Sequence, residues 1–190
     1  MIENKNEKSL AIIMGFYNGN KYLFEQLESI ISQSHKNIKI FIFNDNSPEK
    51  IIDYKIKSNK KFNTITSIIH RKLNLGFAKN FLLGLKDVGS NFDYYAFCDQ
   101  DDIWEKNKIS EALKEISEFD ALKPILYCSR TAYYTKDGSQ EIGSSKNFRK
   151  ETIFKNALIQ NIAGGNTIVM NKKARNLVVK SLICDKYISH

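Results

Sequence analysis

Cysteine is scarce in this chain of 190 residues: Cys98, Cys128 and Cys184 are the only three, and none forms a Cys-x-x-Cys pair. Neither a disulfide framework nor a zinc knuckle is indicated, and reduced thiols are expected. Proline is scarcer still, at Pro48 and Pro124 only, so no proline-rich linker divides the chain. No apolar run approaches the about 20 residues needed to cross a bilayer. Met1 to Lys8 stays polar where a secretion signal would turn hydrophobic, and a cytosolic location is the expectation. No Gly-x-Gly-x-x-Gly follows the first apolar run and no P-loop lysine motif is present, which argues against a nicotinamide dehydrogenase and a P-loop enzyme. Arginine is rare as well: Arg71, Arg130, Arg149 and Arg175 are the only ones among 29 basic residues. The net charge of +8 admits an anionic partner, but lysines scattered among Asn, Ile and Glu read as a solvated surface rather than a nucleic-acid site.

What is present suits one folded domain, with 42% hydrophobic and 26% charged residues. Ser9 to Gly15 is a continuous apolar run of the kind found in strands buried on both faces. Lys21 to Ser32 repeats its apolar residues at three- and four-residue steps, predicting a helix with Asn20 as its N-cap. A strand over Ile38 to Phe43 follows, and then a helix opened by Pro48 with Ile51, Ile52 and Ile56 on its apolar side. Next come a strand over Ile65 to His70, a helix over Phe77 to Leu85, a strand over Tyr94 to Cys98 and a helix over Trp104 to Ile116. Beyond these, Ile125 to Tyr134 reads as strand, Lys136 to Lys150 as polar loop, Ile153 to Leu158 as short helix and Thr167 to Met170 as strand. Alternation of this kind predicts an α/β, Rossmann-like, doubly wound and mostly parallel sheet flanked by helices. Its ligand crevice would lie beyond the carboxyl ends of the strands.

The chemistry concentrates where the strand ending at Cys98 runs into Asp99, Asp101 and Asp102. At least two carboxylates project into one crevice, and unpaired they repel each other. A hard divalent cation relieves that repulsion and keeps coordination sites free for substrate phosphates, so Mg2+ or Mn2+ fits better than zinc. The competing use is structural: Asp101 or Asp102 caps the following helix. One acid suffices for a cap, and here there are three.

Phe97-Cys98-Asp99-Gln100-Asp101-Asp102-Ile103-Trp104 resembles the Asp-x-Asp block of family-2 glycosyltransferases, in particular the bacterial rhamnosyltransferase-like branch. Four further blocks resemble the family in the same order. They are Ala11 to Gly19 with Tyr22 to Ile30, Asn44-Asp45-Asn46-Ser47, Asn74 to Phe81, and Gly165-Asn166-Thr167 through Asn171. The resemblance implies a GT-A fold, with residues 1–190 forming a single nucleotide-sugar-binding domain. It implies that Gly15, Tyr17 and Asp45 hold the nucleotide, Tyr17 by stacking on a pyrimidine and Asp45 by accepting its ring N–H. Asp99 would then meet the ribose, with Asp101, and Asp99 beside it, on the metal. From the residues alone, Tyr17 could be a core aromatic, although its place just past the strand end beside Asn18-Gly19 favours the crevice, and Asp45 could equally make an Asx-turn or cap the Pro48 helix. Asn44 departs from the family pattern, replacing an acid by an amide. Gly76 and Asn80 read as structural, one for a tight turn and one for a buried hydrogen bond. Trp104 suits either a cover over the donor or an ordinary core position, and Cys98, within an apolar strand, is no nucleophile candidate.

The implied reaction is inverting transfer of a sugar from a dTDP- or UDP-sugar to a glycan or polyprenyl-linked acceptor. The implied setting is bacterial surface polysaccharide synthesis, with peripheral association at the inner membrane face. The family's general base is expected in a late His-Asp pair, which makes His190 the candidate catalytic residue and the chain incomplete at its C-terminus. A non-catalytic remnant that binds a nucleotide sugar is the rival reading.

Overall fold

The computed structural model describes residues 7–49, 53–136, 138–147 and 163–184. Four strands, β1 (Leu10–Phe16), β2 (Ile38–Asn44), β3 (Thr66–His70) and β4 (Tyr94–Cys98), run parallel. Two short strands, β5 (Leu126–Tyr127) and β8 (Val169–Asn171), widen the sheet: β8 lies antiparallel to β4, and β5 antiparallel to β8. The order is β3-β2-β1-β4-β8-β5, a mostly parallel sheet as expected. β6 (Ala132–Tyr134) and β7 (Glu141–Ser144) pair separately as a small antiparallel sheet.

Strand alternation explains the layering. Leu10, Ile12, Met14 and Phe16 of β1 face a core shared with α1 (Asn20–Ile31), α2 (Asp53–Ser58), α3 (Lys60–Ile65) and α5 (Lys108–Ser117). Ala11 and Ile13 face the opposite core, which Leu85 of α4 (Phe77–Asp87) and Ala174 of α6 (Lys172–Cys184) complete. Helices thus cover both faces, and the central strand carries apolar residues on both sides because neither side meets water. Close approach on the second face depends on a glycine in α4. A Cβ at Gly84 would stand 2.9 Å from ring carbons of Phe43 and 3.0 Å from Ile13 Cγ2. The end of α4 is closed from the same side by the buried Arg175, whose Nη2 donates to the carbonyls of Leu85 (2.8 Å) and Lys86 (3.0 Å).

Several boundaries differ from the sequence expectation, each for a local reason. Gly19, not Asn20, is the N-cap of α1; Asn20 is the first helical residue, and its N–H donates to Glu49 Oε2 at 3.2 Å. The described helix after β2 begins at Asp53 rather than at Pro48, and Ile51 and Ile52 lie outside the described residues. Asn59 accepts from the amides of Lys61 and Phe62 and starts a separate helix, α3, which was not expected and which ends on Ile65, so that the following strand begins one residue later than expected. The helix expected from Trp104 starts four residues later, at Lys108. The strand expected over Ile125 to Tyr134 is broken into β5 and β6, which belong to different sheets. Within the expected polar loop over Lys136 to Lys150, Glu141–Ser144 forms β7. The helix expected over Ile153 to Leu158 lies outside the described residues. The expected strand at Thr167 to Met170 is shifted to Val169–Asn171, behind a 3-10 turn at Gly165–Thr167. α6 was not expected, although Asn171 signals its start: the Oδ1 accepts the Ala174 amide at 2.9 Å.

Replacing Gly84 by Val should lower stability by about 1–3 kcal/mol, the range for overpacking a filled core, read as a lower urea midpoint.

Candidate active site

The strand order places the site. From β1 the chain moves outward through β2 and β3, then returns to the other side of β1 as β4. The loops after β1 and β4 therefore diverge, and a crevice opens between them at the carboxyl end of the sheet. A cleft of about 480 Å³ occupies it, lined by Gly15, Phe16 and Tyr17 from β1, Asp45 from β2, Asn74 to Phe81 in part, and Asp99, Gln100 and Asp101 from the end of β4. All the residues expected to hold nucleotide or metal, Gly15, Tyr17, Asp45, Asp99 and Asp101, are thus brought together. His190 lies outside the described residues.

Each takes its place for a physical reason. Gly15 has the Phe81 ring behind it, where a Cβ would stand 3.1 Å from the ring, so a bulkier residue would disturb the cleft wall. Tyr17 is 46% exposed, which rules out the core-aromatic reading. Asp45 is 4% exposed, and its carboxylate accepts the amides of Leu75 (2.8 Å) and Gly76 (2.9 Å). It therefore neither caps a Pro48 helix nor closes an Asx-turn; it pins the loop before α4 against β2. One lone pair on each oxygen remains for a ligand. Asn44 is the residue that makes the turn, its Oδ1 accepting the Ser47 amide at 3.0 Å and its Nδ2 lying 3.2 Å from His70 Nδ1. Gly76 adopts φ 77° at the head of α4, and Asn80 donates to the Phe43 carbonyl at 2.9 Å, the turn and the buried hydrogen bond expected of them.

The acidic loop itself is not a helix cap. α5 begins at Lys108 with Asn107 as N-cap, so Asp101 and Asp102 are free of that duty. Asp102 Oδ2 instead accepts Asn166 Nδ2 at 2.7 Å, tying the loop to the Gly-Asn-Thr segment. Lys108 joins the same knot: its Nζ donates to the Asn166 carbonyl at 2.8 Å and lies 4.6 Å from the Trp104 ring centroid. Trp104, 4% exposed, is a core residue. In the orientation that satisfies both ends of its amide, the buried Gln26 donates to the Asp102 carbonyl and to Ser29 Oγ (2.9 Å) and accepts the Trp104 indole N–H (3.2 Å). Gln26, Gln100, Lys108 and Asn166 all escaped the sequence reading. For Gln100 and Asn166 the signal was their place inside conspicuous motifs; for Gln26 and Lys108 no local signal exists, because their partners are distant in sequence.

A second cleft, of about 600 Å³, opens on the other side of the acidic loop, lined among others by Asp102, Lys108, Glu111, Tyr127, Arg130, Tyr134 and Asn166. Asp101 lines both clefts.

The electrostatics follow from burial and crowding. Burial, then repulsion from Asp102 and Asp101, pushes Asp99 up to about 6, against a partial offset from Lys108. Burial also raises Asp102, with the Asn166 hydrogen bond opposing it, and lowers Lys108. Burial pushes the Cys98 thiol far up, which agrees with its exclusion as a nucleophile. Among the described residues no group of three or more His, Cys, Asp or Glu converges into a closed metal cage. An ion of the magnesium type does not require one, since it binds through one or two carboxylates and completes its shell with phosphate and water. A donor set made only of carboxylates, two of them raised in pKa beside one another, suits such an ion.

Asp99 binds its proton more tightly in the folded than in the unfolded chain, so its contribution to stability is full below pH about 3.9 and is lost as pH rises through about 6. Above that, the ionised group is a liability to the metal-free fold. Asp99→Asn should therefore raise the metal-free stability at pH 7.5 by on the order of 1 kcal/mol after allowance for solvent screening, read as a higher Tm. It should also flatten the pH dependence of stability between pH about 4 and 7, measured by thermal denaturation across that range.

The Shigella flexneri protein named dTDP-rhamnosyl transferase RfbG is 40% identical over 102 residues, which cover 53% of this chain and 35% of that protein. An uncharacterized glycosyltransferase of Rickettsia typhi is 28% identical over 128 residues, covering 67% of this chain and 38% of its own length. The chain thus spans little more than a third of the length of these curated relatives. Among solved structures, S. aureus TarS 1–349 in complex with UDP superposes with a TM-score of 0.50 at 23% identity, covering 58% of this chain and 32% of that one. The mannosyltransferase PcManGT from Pyrobaculum calidifontis, in complex with GDP-Man and Mn2+, reaches a TM-score of 0.58 at 13% identity, covering 87% of this chain and 45% of that one. At these identities the likeness is one of fold, and the fold is GT-A. The family profile described as glycosyl transferase family 2 matches residues 11–177, most of the chain and every element of the crevice, and the protein belongs to that family.

Proposed function

We propose that the chain binds a nucleotide-sugar donor, dTDP- or UDP-linked, with Mn2+ or Mg2+, and belongs to an inverting hexosyltransferase that delivers the sugar to a glycan or polyprenyl-linked acceptor. The observation that carries this reading is the meeting of two clefts at one carboxylate: Asp101 lines both the 480 Å³ cleft and the 600 Å³ cleft. A two-substrate transfer needs such a junction, because donor and acceptor must approach from opposite sides of the bond being exchanged.

In the first cleft the half-exposed Tyr17 ring offers a stacking surface for a pyrimidine, and the free lone pairs of Asp45 offer acceptors for its ring N–H. Gly15 leaves room for close approach, and Asp99 lies where a ribose hydroxyl could donate to it. Asp101, with Asp99 beside it, would hold the divalent ion. When bound, that ion supplies charge neutralisation for the departing nucleoside diphosphate. Lys108, on the far side of the loop, tempers the negative charge of the cluster in the ion's absence. The second cleft combines tyrosines with polar and charged side chains, a composition suited to a sugar ring. The base that would take the acceptor's proton belongs to the late His-Asp pair expected from the family resemblance, for which His190 is the candidate.

Rhamnose as the transferred sugar is supported by the name of the Shigella flexneri relative, which matches half of this chain; a bacterial surface polysaccharide as the product rests on the family resemblance of the motifs. No helix among the described residues is long and apolar enough to cross a membrane, so any association with a membrane-borne acceptor would be peripheral at these residues.

Thermal-shift screening of dTDP- and UDP-sugars with Mn2+ tests donor binding. A true donor at about 100 times its Kd should add about 2.7 kcal/mol of apparent stability, and Asp101→Ala should abolish the Mn2+-dependent part. Binding should also weaken as pH falls below about 6, where Asp99 takes up its proton and ceases to favour the cation. Transfer itself is tested by NMR of the product's anomeric centre, and retained configuration would sink the inverting assignment.

A further inference from the structure

We propose that Gln100 is a positioning residue that holds Tyr17 in place for the nucleobase, so that base recognition is anchored to the acidic loop; the proposal rests on the donor-binding reading above. The Gln100 side-chain amide pairs with both backbone polar groups of Tyr17. Its Oε1 accepts the Tyr17 N–H at 2.8 Å and its Nε2 donates to the Tyr17 carbonyl at 2.9 Å. The β1–β4 ladder ends at the Met14–Cys98 pair, and this side chain continues the cross-connection by two hydrogen bonds where the backbones have already diverged.

The direction of the positioning follows from what holds each loop. The acidic loop is fastened to the body of the protein by Asn166 on Asp102 and by Gln26 on the Asp102 carbonyl. The peptide of Tyr17 has the Gln100 amide as its partner, while its neighbour Asn18 hangs on Ser47 of another loop. The acidic loop is therefore the anchor and Tyr17 the held group. Gly19 makes the arrangement sterically possible: a Cβ there would stand 2.1 Å from Gln100 Cδ. Its backbone, at φ −124° and ψ 15°, is open to any residue, so a methyl group at this position would act by displacing Gln100 and not by straining the chain.

That steric relation supplies the test. Titration calorimetry with Mn2+ present would compare UDP with inorganic pyrophosphate as probes, against the wild type, Gln100→Ala, Gly19→Ala and the double variant, after urea denaturation has verified that each is folded. The expected result is that each single variant weakens UDP about tenfold, the size of one base-stacking contact, while pyrophosphate stays within about twofold. The double variant should bind UDP no worse than Gln100→Ala alone, because the added methyl no longer has anything to displace. Equal losses for UDP and pyrophosphate would overturn the proposal in favour of a general scaffold role. Unchanged UDP binding in Gln100→Ala, or a full further loss from Gly19→Ala in that background, would overturn it as well. If the wild type binds neither probe and does not bind dTDP either, the donor-binding reading fails first, and the positioning role falls with it.

Discussion

The parallel pairing of β1 with β4 is the constraint on which the rest of the structure depends. It reverses the direction in which strands are added to the sheet, and so forces the loops after these two neighbours to part. Because both strands are buried between two layers of helices, they cannot shift to close the gap. The crevice is thus a consequence of sheet order and core packing, and the polar residues in it need only be carried at the strand ends. Gly15, Tyr17, Asp45 and Asp99 to Asp101 all sit within a few residues of such an end.

Placing three acids at the mouth of a buried strand has an electrostatic cost, and the surroundings show how it is contained. Asp102 is hydrogen-bonded to Asn166, Lys108 lends a cation from α5, and Asp45, just past the end of β2, is satisfied by two backbone amides. Asp99 and Asp101 are left without comparable side-chain partners among the described hydrogen bonds, and burial with mutual repulsion raises Asp99 to about 6. The unrelieved charge therefore falls on the two acids that line the cleft between β1 and β4. A cation bound with phosphates would discharge it there, which couples the reading of the metal to that of the donor.

Much of the fold was legible because buried parallel strands leave continuous apolar runs and amphipathic helices leave a stripe. β1 to β4, α1 and α4 were recovered within a few residues. Legibility failed where those signals weaken. β5 and β6 lie in one stretch that reads as a single strand but that the chain divides between two sheets, and tertiary pairing shows the break. α5 was started too early, at Trp104, which is instead held in the core by hydrogen bonds to Gln26 and Ser29 from α1. For the site, the motif residues could be named but not their partners: the hydrogen bond from Gln100 to Tyr17 spans 83 positions, and that from Asn166 to Asp102 spans 64.

By itself the sequence determined which residues are chemically able to serve: the acids after Cys98, the aromatic after β1, the acid after β2, and the family to which their order belongs. Those properties are local, carried by side-chain type and by spacing along one strand end. The tertiary structure decided how they are used. It turned Asp45 into a loop anchor, freed Asp101 and Asp102 from helix capping, buried Trp104, and set Asp101 on the ridge between two clefts. Hydrogen bonding, burial and charge repulsion act through space, between residues that the chain brings together only when the sheet has formed.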